Sequence, residues 1–183
     1  MGTKGTCALI WVLAGLTYGC ADLDVTNPND PDGSRVVRTP EEVEELISGS
    51  YINWYSVYHQ GFPSCALSVA ADAHTASWGT WGMRDSGAEP RVAYDNDPAY
   101  GYSGIAEVPW EDSYAALAGV RDGLAAIDQG VTIRRAGVDE TRRAVAFGKF
   151  IQAQVLTNLA LLFDQAFIVD ETTDLGAMEM VPA

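Results

Sequence analysis

The fold is decided by residues 139–163, which read DETRRAVAFGKFIQAQVLTNLALLF. Asp139 is a residue type that caps helix N-termini, which places the start of a helix near it. The large apolar residues that follow recur at helical spacing around most of the segment: Phe147, Phe150, Ile151, Leu156, Leu159, Leu162 and Phe163. A helix that is apolar over most of its circumference must be buried among other helices. The stretch therefore predicts a helical domain built around it.

Three further helices are predicted upstream. The first opens at Thr39, where Thr-Pro-Glu-Glu provides a capping hydroxyl, a proline at the first helical position and a glutamate that completes a capping box. Gly61 and Pro63 end it, and an alanine-rich helix follows from about Pro63 to Ala76. A third begins at Pro109 and ends at Gly130. The predicted fold class is all-α.

A long irregular segment interrupts this helical pattern. Between about Ser77 and Val108 the periodicity disappears and Gly, Asp, Trp and Tyr dominate, a composition typical of turns. Loops of this length are uncommon unless they have a function. We therefore expect a long, aromatic-rich loop that carries a binding site.

Composition excludes several classes of protein. The chain has 183 residues, of which 48% are hydrophobic and 20% charged, so disordered, collagen-like and coiled-coil readings do not fit. It carries 11 Lys and Arg against 25 Asp and Glu, a net charge of -14. That charge repels phosphate backbones, so no nucleic-acid partner is expected.

The N-terminus has the pattern of an export signal. Lys4 provides a charged start, Cys7 to Leu16 form an apolar run, and Gly19 is a small residue before Cys20. The run is too short to cross a bilayer, which takes about 20 residues. Gly19-Cys20 resembles the end of a bacterial lipobox, which implies a signal peptide at 1–19 and a lipid anchor on Cys20; an ordinary signal peptide and a mis-assigned start are the alternatives. Residues 20–38 are rich in Asp, Asn and Pro and predict an extended tether.

Residues 149–169, KFIQAQVLTNLALLFDQAFIV, resemble the signature helix of the SusD/RagB family of outer-membrane nutrient-binding lipoproteins. The acidic stretch 170–174 and the segment 39–51 are similar to the family's sequence at the same places in its order. Four residues depart from the family pattern: Arg121, Gln152, Asp164 and Phe167. The residues that match are Lys149, Phe150, Ala153, Asn158, Leu159, Leu162, Phe163 and Val169 in the helix, with Trp110, Tyr114 and Leu117 upstream.

The resemblance implies a tetratricopeptide-like helical domain over residues 39–183. Because the family's proteins are far longer, it also implies that the chain covers only their N-terminal part. A protein of this family is a lipoprotein of the cell outer membrane that binds a nutrient glycan or peptide and works with a TonB-dependent transporter. Two alternatives stay open: a shortened structural subunit of a membrane complex that binds no ligand, and a gene fragment without stable function.

The sequence contains no motif of enzyme chemistry. It lacks a glycine-rich phosphate loop, a G-x-S-x-G elbow, a CxxC pair and an HExxH helix, so we expect no catalysis and no cofactor. His59 and His74 have no ligand at metal-site spacing except Asp72, which would point to another helix face, so no metal site is predicted. Cys65 is expected to be a small buried hydrophobe.

One group of residues stands out as a candidate ligand site. Aromatic faces suit the apolar CH face of a sugar, and Asp and Arg suit its hydroxyls. The same aromatic rings could instead cap the core. Helical spacing predicts that five other residues belong to the core and not to the site: Trp110, Tyr114, Phe150, Leu159 and Phe163. The predicted ligand-binding residues are Asp72, Trp78, Trp81, Arg84, Tyr100 and Tyr102.

Overall fold

A computed structural model of the chain describes residues 39–90, 93–95 and 97–182. Within these ranges the protein is mostly helical, which confirms the predicted helical character. The predicted signal peptide, Cys20 and the predicted tether lie outside the described residues. The helices are α1 (Pro40–His59), α2 (Gly61–Ala70), α3 (Met83–Ser86), α4 (Gly104–Asp128) and α5 (Thr141–Leu162), with 3-10 turns at Thr80–Gly82 and Leu175–Ala177.

Two small antiparallel ribbons accompany the helices. Strands β1 (Arg134–Arg135) and β2 (Val138–Asp139) form a hairpin between α4 and α5. Its two turn residues, Ala136 and Gly137, both have positive φ, as a tight hairpin turn requires. Strands β3 (Gln165–Ala166) and β4 (Val181–Pro182) pair after α5. The all-α prediction missed them because strands of two residues carry no readable alternation.

The predicted start of α1 is confirmed in detail. The Thr39 hydroxyl accepts a hydrogen bond from the Glu42 backbone N–H at 3.2 Å. The Glu42 carboxylate in turn accepts from the Thr39 N–H at 2.9 Å, which completes the capping box. Pro40 occupies the first turn, where its missing N–H costs nothing.

The boundaries of the other helices differ from their predictions. Helix α2 spans Gly61–Ala70 rather than about 63–76, because Pro63 is tolerated in its first turn and the chain turns at Asp72, with φ of 58°. Helix α4 begins at Gly104 and includes Pro109. Helix α5 begins at Thr141, two residues after the predicted start near Asp139. The Asp139 carboxylate accepts a hydrogen bond from the Thr141 backbone N–H at 3.0 Å. The predicted loop also contains the short helix α3.

The main core lies between α1, α4 and α5. The seam of α5 contributes Ile151, Val155 and Leu159, all fully buried. Among the described residues, α5 is the helix long and apolar enough to cross a membrane, a test that core helices pass as well. The fully buried partners on the other two helices are Val43, Ala116, Leu117 and Val120, with Ile47 nearly so.

The five residues expected in the core have different outcomes. Leu159 is fully buried, and Trp110, Tyr114 and Phe163 are partly buried against the core cluster. The prediction for Phe150 is wrong, because its side chain is 44% exposed on the outer side of α5. Periodicity alone could not locate it, since a helix that is apolar nearly all round has no unique inner face.

A second, smaller cluster joins α2 and α3 to the start of α4. It consists of Ala66, Val69, Met83 and Ile105, with Trp81 packed against it. Cys65 is exposed, so the prediction that it is buried is wrong. The buried face of α2 consists of Pro63, Ala66 and Val69, and Cys65 lies about 100° around the helix from Ala66, at the edge of that face.

The chain after α5 is fastened back onto the core helices. Lys149 of α5 donates to the two Glu171 carboxylate oxygens at 2.5 and 2.6 Å, and Gln152 donates to the same side chain at 3.2 Å. The Tyr114 hydroxyl donates to the Phe167 carbonyl at 3.2 Å and accepts from its N–H at 2.7 Å. The bonds to Glu171 join the predicted signature segment to the acidic stretch that follows it, and the bonds of Tyr114 join α4 to the end of that segment.

Candidate functional site

A pocket of about 540 Å³ lies beyond the C-terminal end of α2. Asp72, Trp78 and Arg84 line it together, so the structure brings three of the six predicted ligand residues to one place. Val69 and Met83, both buried in the smaller cluster, form part of its wall. The small cluster therefore supports the pocket from beneath.

Trp78 is the most prominent side chain of this pocket. It is 69% exposed, although large aromatic side chains normally bury most of their surface. Across the loop, Arg84 on α3 lies over Gly79, where an added Cβ would lie 3.4 Å from the guanidinium Nε. An exposed aromatic ring and a guanidinium group thus border the same cavity.

Asp72 lines the pocket at the point where the chain leaves α2. Its positive φ of 58° belongs to the left-handed region, which aspartate tolerates better than most residues. The Asp72 N–H donates to the Val69 carbonyl at 3.1 Å, and the Ala73 N–H donates to the Ser68 carbonyl at 2.9 Å. These bonds end α2 and direct the chain into the pocket wall.

Trp81 has different surroundings from Trp78. Its ring stacks on Phe62 with centroids 5.6 Å apart and planes 8° from parallel, and it is partly buried against the smaller cluster. Its φ of 54° is uncommon for a bulky residue. Trp81 is not among the residues that line the Trp78 pocket. Its proposed role as a ligand platform stays a prediction.

Tyr100 and Tyr102 lie in a separate aromatic group. Their ring centroids are 5.6 Å apart at 75°, and Tyr94 contacts Tyr100 at 5.8 Å and 89°. Tyr100 lines a second cavity of about 360 Å³ with Tyr94, Asp85 and other residues. The six predicted residues therefore do not line one cavity, and the role of each in ligand binding stays a prediction.

The environment of the second cavity is acidic. The Tyr100 hydroxyl donates to the Asp85 carboxylate at 3.1 Å. Burial, this hydrogen bond and the negative charge of Asp85 raise the pKa of Tyr100 to about 12. Burial and the charges of Glu107 and Asp95 also raise the pKa of Tyr94. Both tyrosines therefore stay neutral at physiological pH and present hydroxyl groups and ring faces.

Two ionisable residues that line the first pocket, His74 and Glu89, are absent from the predicted ligand set. The sequence predicts no metal site at His74 and assigns no role to Glu89. The available signal was proximity in sequence, because all lining residues lie between positions 69 and 89. Within the described ranges, no three His, Cys, Asp or Glu side chains are close enough to share a metal ion.

Comparisons with protein-family models, with characterised proteins and with solved structures find no match for the chain. The resemblance to the SusD/RagB family therefore rests on the residues of segments 39–51, 110–117 and 149–174.

Proposed function

We propose that the chain is a lipid-anchored, tetratricopeptide-like lipoprotein of the cell outer membrane that binds a nutrient glycan or peptide for a TonB-dependent transporter. The observation that carries the proposal is the pocket bordered by Trp78, Asp72 and Arg84. The segments that resemble the SusD/RagB family support it from the sequence side.

The chemistry of the pocket suits a hydroxyl-rich ligand. The exposed face of Trp78 offers an apolar platform for the CH face of a sugar ring. The carboxylate of Asp72 accepts hydrogen bonds, and the guanidinium of Arg84 donates in a planar fork. His74 and Glu89 add further polar groups to the same lining. A peptide with polar termini would use the same groups, so both ligand classes fit.

We expect binding at this pocket to be weak. A stacking face contributes about 1–2 kcal/mol, and each hydrogen bond to a charged group about 1.5–3 kcal/mol, before the cost of ordering the ligand is subtracted. The expected dissociation constant lies between about millimolar and tens of micromolar. Such affinities suit a protein that passes its ligand on to a transporter.

Affinity electrophoresis of the purified chain in gels that contain soluble starch, xylan or laminarin tests the proposal. At least one polysaccharide should retard the wild-type protein. Trp78→Ala should abolish the retardation while the melting temperature stays within a few degrees, because the ring is exposed. Trp78→Phe should retain part of it. Tyr55→Ala, which removes a ring that is 36% exposed on α1 outside the pocket, is the control and should migrate like wild type.

Two results would contradict the glycan proposal. Retardation that survives Trp78→Ala would place the binding surface elsewhere, and a large fall in melting temperature would show that the ring stabilises the fold. If no polysaccharide retards the chain, titration with short peptides decides whether the pocket takes a peptide instead.

A structural role in a membrane complex is the second candidate. It is favoured by apolar side chains that α5 and α1 leave on the surface, with Leu161 78% exposed, Ile52 63% and Phe150 44%. For that role, the chain would bind no glycan and no peptide. Leu161→Asp, but not Trp78→Ala, would then release it from the complex.

A further inference from the structure

The second cavity has a different character from the Trp78 pocket. It holds about 360 Å³ and lies between the end of α2, the end of α3 and residues 93–95. Its main lining groups are the rings of Tyr94 and Tyr100 and the carboxylates of Asp85 and Asp95. Aromatic rings and carboxylates are thus combined, and none of the described lining residues is basic.

The two tyrosine rings meet at a right angle. Their planes are 89° apart and their centroids 5.8 Å apart. Tyr102 continues the group, with its ring 75° from that of Tyr100. The faces of an aromatic ring are negatively polarised, and the faces of two perpendicular rings point in different directions. Faces arranged in this way attract quaternary ammonium groups through cation–π interactions.

The carboxylates of this cavity have no cationic partner among the described residues. No Lys or Arg in ranges 39–90, 93–95 and 97–182 forms an ion pair with Asp85 or Asp95; the ion pairs present there involve other acids. Asp85 accepts from the Tyr100 hydroxyl, and Asp95 accepts from the Asp97 N–H. Both bonds are to neutral donors, so the negative charge of the cavity is not compensated by these contacts.

A mainly apolar cavity of about 370 Å³ adjoins this second cavity. Its wall includes Leu67, Ile105, Leu162 and Phe163. The two cavities share Ala70, Ser86 and Tyr94 in their linings. A ligand whose charged end lies between the tyrosines would therefore have space for an apolar group against α4 and the end of α5.

The geometry points to a binding site for an organic cation of the quaternary ammonium type, with an apolar substituent in the adjoining cavity. A bare metal ion is a poorer fit, because no three acidic, His or Cys side chains of the described part converge on one point. A neutral sugar would leave the negative charge uncompensated. The site uses different side chains from the Trp78 pocket and does not depend on the proposed function.

Calorimetric titration of the full chain tests the inference. Choline should bind at least about tenfold more tightly than 3,3-dimethylbutan-1-ol, its neutral isostere, because only the cation gains from the rings and carboxylates. Benzyltrimethylammonium should bind more tightly than tetramethylammonium, because its ring reaches the apolar cavity. Equal affinity for choline and its isostere, or no binding of benzyltrimethylammonium at millimolar concentration, would overturn the inference.

Variants locate the site. Asp85→Asn and Tyr94→Leu should each weaken choline binding by about tenfold, whereas Tyr94→Phe should retain it, because the ring and not the hydroxyl holds the cation. Tyr55→Leu removes an exposed tyrosine of α1 and should have no effect. Unchanged affinity in folded Asp85→Asn and Tyr94→Leu proteins would refute the location. If Tyr94→Leu unfolds, Asp85→Asn and the comparison of choline with its isostere decide.

Discussion

Two glycines of α4 determine how closely α1 can approach it. An added Cβ at Gly123 would lie 2.5 Å from Cγ1 of Ile47, a fully packed core residue, and one at Gly119 would collide with the Ser50 hydroxyl. Only hydrogen atoms fit at these positions. Gly49 of α1 differs, since an added Cβ there meets nothing within 4 Å.

Alanine at these glycines should have opposite effects on stability. Gly123→Ala should lower the free energy of unfolding by about 1–3 kcal/mol, because the methyl group overpacks the contact between α1 and α4. Gly49→Ala should raise it by about 0.5–1 kcal/mol, because alanine loses less backbone entropy in a helix. Urea melts of both variants beside wild type measure the difference. A neutral Gly123→Ala would show that the two helices can separate at no cost.

The two tryptophans of the Trp-Gly-Thr-Trp segment show how little a residue type reveals about its role. Trp78 is 69% exposed on a pocket rim, while Trp81 stacks on Phe62 against the smaller cluster. They stand three residues apart in an irregular segment, where no helical or strand period assigns faces. Their different surroundings depend on the left-handed turn at Trp81 and on the position of α2.

At the scale of elements, an ion-pair network joins the β1–β2 hairpin and α5 to α1. Glu44 of α1 pairs with Arg135 of the hairpin at 3.0 Å and with Arg143 of α5. Arg143 also pairs with Glu140 at 2.6 Å. The hydrogen bond from Arg143 is the main reason that the pKa of Glu44 lies below its ordinary value of 4.5.

This network predicts a pH dependence of stability. A carboxyl whose pKa is lower in the folded state stabilises the fold above its unfolded pKa, and that stabilisation is lost as pH falls through the folded value. Because the arginines are about half or more exposed, the loss should be at most about 1 kcal/mol. Thermal melts at about pH 6 and about pH 3 should differ less in Glu44→Gln than in wild type.

Glu45→Gln is the matched control for this prediction. Glu45 neighbours Glu44 on α1 but is exposed and has no ion pair within the described ranges. It should melt like wild type at both pH values. An identical pH response of the Glu44→Gln and Glu45→Gln proteins would show that the network does not stabilise the hairpin.

At the scale of the whole molecule, the proposed location depends on Cys20. The short apolar run that ends at Gly19-Cys20 predicts a lipid anchor on this cysteine. Cys20→Ser should release the protein from the membrane fraction and change its mobility in denaturing gels. A Ser variant that stays in the membrane pellet with unchanged mobility would contradict the lipoprotein proposal.

The sequence by itself determined the helical character of the molecule, the capped start of α1 and the identity of the central helix α5. These features depend on short-range physics: cap hydrogen bonds form within one turn, and a strongly apolar helix must be covered. The predicted boundaries of α2 and α4 are less accurate. Pro63 lies within the first turn of α2 and a left-handed turn follows at Asp72, while Pro109 lies inside α4 rather than at its start.

Only the tertiary structure decided which residues share a pocket and which apolar side chains stay on the surface. It separated Asp72, Trp78 and Arg84 from Tyr100, and it placed Phe150 and Cys65 outside the core. Such neighbourhoods depend on where α2, α3 and α4 meet, and no local pattern encodes the relative position of helices that are joined by irregular chain. Residue type and spacing indicate which contacts a side chain is able to make, whereas the packing of distant elements decides which of those contacts it makes.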